Sequence, residues 1–164
     1  MTSVIKVDNI KVDNIQNSSG TAAMSIDSSG IVSTSQLQYI TLLRNAEVTY
    51  STGATIADWR LVNSNGITES SGVCTVSVGG VYLISISVIC DSTNGVEFYV
   101  NGTKQFRPSY SAMGSGEAWS CVANCFAWNL SASDTVEFKA QGSMTIYGAS
   151  DNSTVGSWSM VKIG

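Results

Sequence analysis

Four cysteines, twelve carboxylates and a scatter of tryptophans and tyrosines are the side chains that could do chemistry in this chain of 164 residues, which contains no histidine. The missing histidine removes Ser-His-Asp and Cys-His nucleophilic catalysis and the commonest general base together. It also leaves cysteine as the main zinc ligand. Cys121 and Cys125 form a Cys-x-x-x-Cys pair, but no second close pair accompanies it, so a zinc site is not expected. The acids (Asp8, Asp13, Asp27, Glu47, Asp58, Glu69, Asp91, Glu97, Glu117, Asp134, Glu137 and Asp151) show no calcium-loop spacing. A glycosidase-type pair would need the fold to bring two of them together. Gly114-Ser115-Gly116 is not followed by Gly-Lys-Ser/Thr and reads as a hairpin tip, not a phosphate loop. The expectation is a protein that is not an enzyme and uses no cofactor or metal.

The aromatic residues Trp59, Trp119, Trp128 and Trp158, with Tyr99, Tyr110 and Tyr147, admit two uses. Exposed, they would stack on sugars; buried, they would supply core and subunit interface, where aromatic side chains contribute most area. The second is expected. Cys121 and Cys125 fall in one strand, where four residues span about 13 Å. They are too far apart to bridge, since a disulfide needs Cα atoms within about 7 Å. All four cysteines, Cys74 and Cys90 included, are expected to be buried free thiols of a protein made in a reducing cytoplasm. Asn-x-Ser/Thr triplets at Asn17, Asn101, Asn129 and Asn152 are what a chain rich in Ser, Thr and Asn produces by chance.

The bulk properties exclude several partners. Charged residues make up 12% of the chain, half the usual share of about 25%. The net charge is −4, and Lys6, Lys11, Arg44, Arg60, Lys104, Arg107, Lys139 and Lys162 form no basic stripe, so no nucleic acid is expected as a partner. No apolar run of about 18 residues exists, so no membrane insertion is expected. Met1-Thr2-Ser3-Val4 lacks the basic and apolar regions of a secretory signal. A chain of this size buries roughly 70% of its unfolded surface and needs no disulfide to fold.

The elements that would position these side chains are strands. Val73 to Val78 sets Cys74, Val76 and Val78 on one face; Val81 to Cys90 sets Tyr82, Ile84, Ile86, Val88 and Cys90 on one face. Val96 to Val100 ends in Asn101-Gly102, a dipeptide suited to a tight hairpin because both residues tolerate positive φ. Trp119 to Leu130 places Val122, Phe126 and Trp128 opposite small Cys and Ala; Thr135 to Ala140 places Val136, Phe138 and Ala140 opposite Glu137 and Lys139. Ser157 to Ile163 sets Trp158 and Met160 against Val161 and Ile163. Ser35 to Ala46, with Leu37, Ile40, Leu42 and Leu43, is the one stretch that suits a short helical turn. The fold class is therefore all-β, an antiparallel jelly-roll sandwich with an extended N-terminal β arm. Val81 to Cys90 and Trp119 to Leu130 are apolar on both faces, where an isolated sandwich would have one polar face. A second buried face implies a partner, most simply another copy of the chain.

Residues 1–34 read as the arm and residues 35–164 as the jelly roll. Lys6-Val7-Asp8-Asn9-Ile10 repeats at once as Lys11-Val12-Asp13-Asn14-Ile15, a period that fits no coiled coil. Asn17-Ser18-Ser19-Gly20 and Asp27-Ser28-Ser29-Gly30 read as turns around a short strand, Thr21 to Ile26. A solvated tail has little use for Val4, Ile5, Val7, Ile10, Val12 and Ile15, so these residues are taken as the docking surface of the arm.

From about Leu61 onward the order of motifs resembles the globular domain of complement component one-q and its tumour-necrosis-factor relatives. Asn65-Gly66-Ile67 and Ser71-Gly72 are followed by Cys74-Thr75-Val76-Ser77-Val78 and Gly80-Val81-Tyr82-Leu83-Ile84. Val100-Asn101-Gly102 resembles the family's central hairpin, and Leu130-Ser131-Ala132-Ser133-Asp134-Thr135-Val136 its turn into the penultimate strand. Ser157-Trp158-Ser159-Met160-Val161 stands where the family ends on Ser-x-Phe-x-Gly, departing at Trp158 and Met160. The resemblance implies a jelly roll assembled as a homotrimer about an apolar axis. The calcium site of some members has no matching residues here. The arm, Ile5 through Ile10 and Ser19 through Val32, resembles the start of fibre-like virion proteins of tailed phages. Together these resemblances imply a virion protein made in the host cytoplasm. It would be a capsid decoration or short tail fibre whose arm meets major capsid or tail proteins and whose outer end meets a host surface glycan. The alternative is a soluble trimeric lectin-like module.

Overall fold

The computed structural model describes residues 14–16, 22–26, 32–34, 37–91, 94–110, 119–149 and 156–164. Two compact units divide the chain, Met1–Leu37 and Gln38–Gly164. In the first, β1 (Asn14–Gln16), β2 (Ala22–Ile26) and β3 (Val32–Thr34) form an antiparallel sheet in sequence order. Asn14 pairs with Ser25 and Ile26 with Val32, so the strand expected between the two turn clusters is present as β2. Of the docking residues, Ile15 lies in β1 opposite Met24. Val4, Ile5, Val7, Ile10 and Val12 lie outside the described residues, as do both turn clusters and Gly114-Ser115-Gly116.

The second unit is a two-sheet antiparallel sandwich. Its strands are β4 (Tyr39–Arg44), β5 (Val48–Tyr50), β6 (Trp59–Asn65), β7 (Ile67–Ser70), β8 (Val73–Val76), β9 (Gly80–Cys90), β10 (Gly95–Val100), β11 (Thr103–Tyr110), β12 (Ser120–Leu130), β13 (Thr135–Ala140), β14 (Met144–Ile146) and β15 (Gly156–Lys162). One sheet runs β11-β10-β13-β8-β7; the other runs β5-β14-β9-β15-β4-β6, with β12 on the second edge of β9. Alternation in the sequence is what makes these strands, since successive side chains leave a strand on opposite faces. Tyr82, Ile84, Ile86, Val88 and Cys90 of β9 all point into the core, with Val122, Trp158, Phe98, Val136 and Phe138. Phe138 of one sheet meets Trp158 of the other edge-on at 5.2 Å, a favoured aromatic geometry. The hairpin at Asn101-Gly102 has φ of 51° and 71°, the two left-handed residues that such a turn requires.

The helical turn expected within Ser35–Ala46 is replaced by strand β4, in which Ile40, Leu42 and Arg44 point inward. The misreading has a physical cause: Arg44 counts as polar in any pattern, yet here it is an inward residue. Its guanidinium donates to Tyr50 Oη (3.1 Å), to the Ala46 carbonyl (2.9 Å) and to the Ala57 carbonyl, and lies 5.0 Å from the Trp59 ring centroid. Carbonyls and aromatic faces thus replace the water that the charge gives up.

The sandwich has two distinguishable ends. At the base, Gln38 is buried; its Nε2 donates to Ser77 Oγ (2.7 Å) and its Oε1 accepts from Tyr82 Oη (2.7 Å). A Cβ on Gly66, whose φ is +69°, would come within 2.6 Å of the Gln38 amide, so glycine is required there. Lys162 N donates to Gln38 O and Val81 N to Gly164 O, both at 2.8 Å, which places Gln38 and Gly164 at the same end. β9 then runs eleven residues to the opposite end, the tip.

Candidate functional site

The outward face of the seven-stranded sheet is built from the residues that the core does not take. Register aligns them in rows across β12, β9, β15 and β4. Ala127, Leu83, Val161 and Tyr39 form the row nearest the base, Cys125, Ser85, Ser159 and Thr41 the next, and Ala123, Ser87, Ser157 and Leu43 the third. Cys121 and Ile89 follow towards the tip. Across these four strands none of the rows contains a charge; on β6 the third row continues to Arg60, opposite Leu43. Val81 and Ile163 extend the apolar base, and Ile163 is 59% exposed. The middle rows are closed by small polar contacts, Ser85 Oγ to Ser159 Oγ at 2.8 Å and Ser87 Oγ to Cys121 Sγ at 3.9 Å. The two-sided strands expected from the sequence are therefore real, and the second face is open in the single chain.

Beside this face, the sandwich edge between β11 and β12 holds an aromatic cluster. Phe98 is buried, and half-buried Phe106, Phe126 and Trp128 have their ring centroids 5.5, 4.9 and 5.4 Å from it. Asn124 Nδ2 donates to the Pro108 carbonyl and ties the two edge strands together.

The cysteines divide. Cys74 and Cys90 are buried, as expected, and burial followed by the nearby Glu69 charge pushes the Cys74 thiol far above its usual range. Cys121 and Cys125 are exposed free thiols, contrary to expectation. Both occupy outward positions of β12, where a thiol is buried only if something covers the sheet.

The fold does bring two carboxylates together. Glu97 pairs in register with Lys139, and Tyr99 with Glu137, which sets all four on the outer face of the five-stranded sheet. Glu97 accepts from Lys104 Nζ and from Tyr99 Oη (3.1 Å), with Arg107 at 3.8 Å; Glu137 accepts from Thr55 Oγ1 (2.7 Å) and lies 3.3 Å from Lys139 Nζ. Burial acts to raise Glu97, but the hydrogen bonds from Lys104 and Tyr99 and the charges of Lys104 and Arg107 outweigh it and hold the carboxyl below its ordinary range. A glycosidase acid needs the opposite shift. The pair is an ion network. Among the described residues no group of three or more Cys, Asp or Glu is placed to hold a metal ion.

The aromatic residues sort by burial. Trp59 and Trp158 are core, Trp128 belongs to the edge cluster, and Tyr99 belongs to the ion network. The Tyr110 side chain lies outside the described part of the structure. Trp119 is 60% exposed and stacks on Tyr147, ring centroids 4.7 Å apart and planes 12° from parallel. Sequence reasoning named both residues but had no means of pairing positions so far apart. Only the strand register joins them.

No family model matches the sequence, and no curated protein matches it. Solved structures do match. The Eiger tumour-necrosis factor of S. frugiperda superposes with a TM-score of 0.64 at 13% identity, over 78% of this chain and 93% of that one. The globular domain of zebrafish complement 1qA superposes at 0.62 with 12% identity, over 79% and 98%. Murine APRIL, crystallised at pH 5.0, superposes at 0.60 with 16% identity, over 78% and 100%. The chain therefore has the jelly-roll fold of the tumour-necrosis-factor and complement one-q globular domains, as the order of its motifs implied. At these identities the likeness is one of fold.

Proposed function

We propose that this chain is a non-enzymatic structural protein of a tailed-phage virion. It forms a homotrimer through its jelly roll and docks by residues 1–34 on major capsid or tail proteins, as a capsid decoration or short tail fibre. The observation that carries the assembly half is the charge-free outward face from Val81 and Leu83 to Ile89, flanked by the half-open cluster of Phe106, Phe126 and Trp128. Interface cores are depleted of charge and enriched in aromatic residues. An edge on one copy packed on a face of the next is a heterologous contact, which closes into a ring when the rotation permits. The docking half rests on the arm sequence, in which Val4, Ile5, Val7, Ile10, Val12 and Ile15 supply the apolar contacts.

Virions assembled with a chain lacking residues 1–15 test the docking. They should carry none of the shortened protein, although the purified shortened protein keeps the same number of chains as the full-length oligomer. Incorporation at the full-length level would contradict arm docking. A lectin-like module is the second reading, favoured by exposed Trp119.

A further inference from the structure

The tip of the seven-stranded sheet carries an aromatic pair set between two carboxylates. Ser120 pairs with Cys90, so Trp119 and Asp91, one step further on, adjoin across the β9–β12 ladder. Ile146 pairs with Val48, so Tyr147 and Glu47 adjoin in the same way across β5–β14. Trp119 stacks on Tyr147 and leaves its indole exposed. One oxygen of Asp91 accepts from Thr145 N at 2.7 Å. Asp91 and Glu47 are both exposed residues, and neither carboxylate has a cationic partner among the described residues.

The same chain builds a completed version of this arrangement on its other sheet. There Tyr99 lies between Glu97 and Glu137, and Lys139 Nζ sits 4.7 Å from its ring centroid. In both places burial, and after it the neighbouring carboxylates, push the phenol above its usual range: Glu97 and Glu137 for Tyr99, Asp91 and Glu47 for Tyr147. At Tyr99 the ring and the carboxylates hold a cation. At the tip the ring and the carboxylates are present and none of the described residues supplies the cation.

We propose that Trp119 and Tyr147, with Asp91 and Glu47, form a docking site for a cationic group, either a lysine or arginine side chain of a protein partner or a small substituted ammonium. The negative face of an indole attracts such a group, and adjacent carboxylates add charge complementarity. A neutral sugar would also stack on Trp119, but it would leave two carboxylates uncompensated on a chain whose net charge is already −4. A second copy of the chain is a poor occupant, because burying unpaired carboxylates is costly and the rows below, across β12, β9, β15 and β4, carry no charge to meet them. The site does not depend on the virion reading.

The test follows the Trp119 indole N–H resonance of the full-length protein, assigned with Trp119→Phe. Nα-acetyl-lysine amide, arginine amide, choline and methyl β-glucoside are titrated at constant ionic strength. At least one cation should give a saturable shift, and the glucoside none. Affinity should fall about fivefold or more in the double variant Asp91→Asn, Glu47→Gln; the substituted amide at position 91 keeps an acceptor for Thr145 N. Preference for the amino-acid amides points to a protein partner, and preference for choline to a small ammonium. No saturable shift with any cation, an unchanged affinity in the double variant, or a shift with the glucoside alone would overturn the site. Trp119→Ala should keep the wild-type oligomeric mass; its loss would place Trp119 within the subunit contact and also overturn it. A wild type that is monomeric yet binds the cations would sink the trimer and support this site.

Discussion

Glu97 shows how far single residues set the behaviour of this fold. Its carboxyl is nearly buried beneath Lys104, Arg107 and Tyr99 and titrates below its ordinary range. A folded-state value below the unfolded one adds stability above the unfolded carboxylate range, and that stability is lost as pH falls through the folded value. Wild type should therefore be more stable than Glu97→Gln at neutral pH, and the gap should close as the pH drops below about 4. Denaturant midpoints across that window check this; a gap constant down to pH 2 would contradict it. Arg44 is the second case. Arg44→Ala would strip Tyr50 Oη and two carbonyls of a donor and leave a cavity, at about 3 kcal/mol or more. A loss below about 1 kcal/mol in the denaturant midpoint would show that the guanidinium is dispensable. Neither role was legible in the sequence. Partners such as Glu97 and Arg107, or Arg44 and Ala57, are set by register and loop path, and sequence pattern reports only whether a residue type is usually inside.

Strands were the most legible level. Val81 to Cys90 and Thr135 to Ala140 turn inward the faces that the period of two sets apart, and in Ser157 to Ile163 it is the Trp158 and Met160 face that enters the core. β4 was missed because an inward arginine broke its alternation. The Asn101-Gly102 turn was legible since few dipeptides accept two positive φ values. The Asn101 amide is also engaged, Oδ1 accepting from Thr135 N (2.8 Å) and Nδ2 donating to Asp134 Oδ1 (2.8 Å), so it links the β10–β11 hairpin to the turn before β13. Gly102→Val forces a β-branched residue to φ of +71° and should cost about 1–2 kcal/mol. Gly102→Asn should cost much less, and equal losses for the two would contradict the conformational explanation.

Assembly of the whole molecule is decided by what covers the outward face of the seven-stranded sheet. The sequence indicated that β9 and β12 are apolar on both faces. It could not show that Leu83, Ala127 and Val161 share a row, or that Cys121 and Cys125 stand on the same surface; both follow from register. If copies of the chain close over this face, all four thiols should react slowly with an aromatic disulfide reagent in the native protein. Two of them, Cys121 and Cys125, should react fast in any variant that dissociates, and equal fast reaction of two thiols in wild type would contradict burial. The most direct measurement is the mass of the full-length protein by sedimentation equilibrium, beside Leu83→Glu, which puts a charge in the middle of the base row. Wild type should sediment at three times the 17.3 kDa chain mass and the folded variant as a single chain. A wild type that sediments as a single chain at every concentration, or a Leu83→Glu protein that stays as large as wild type, would contradict assembly through this face.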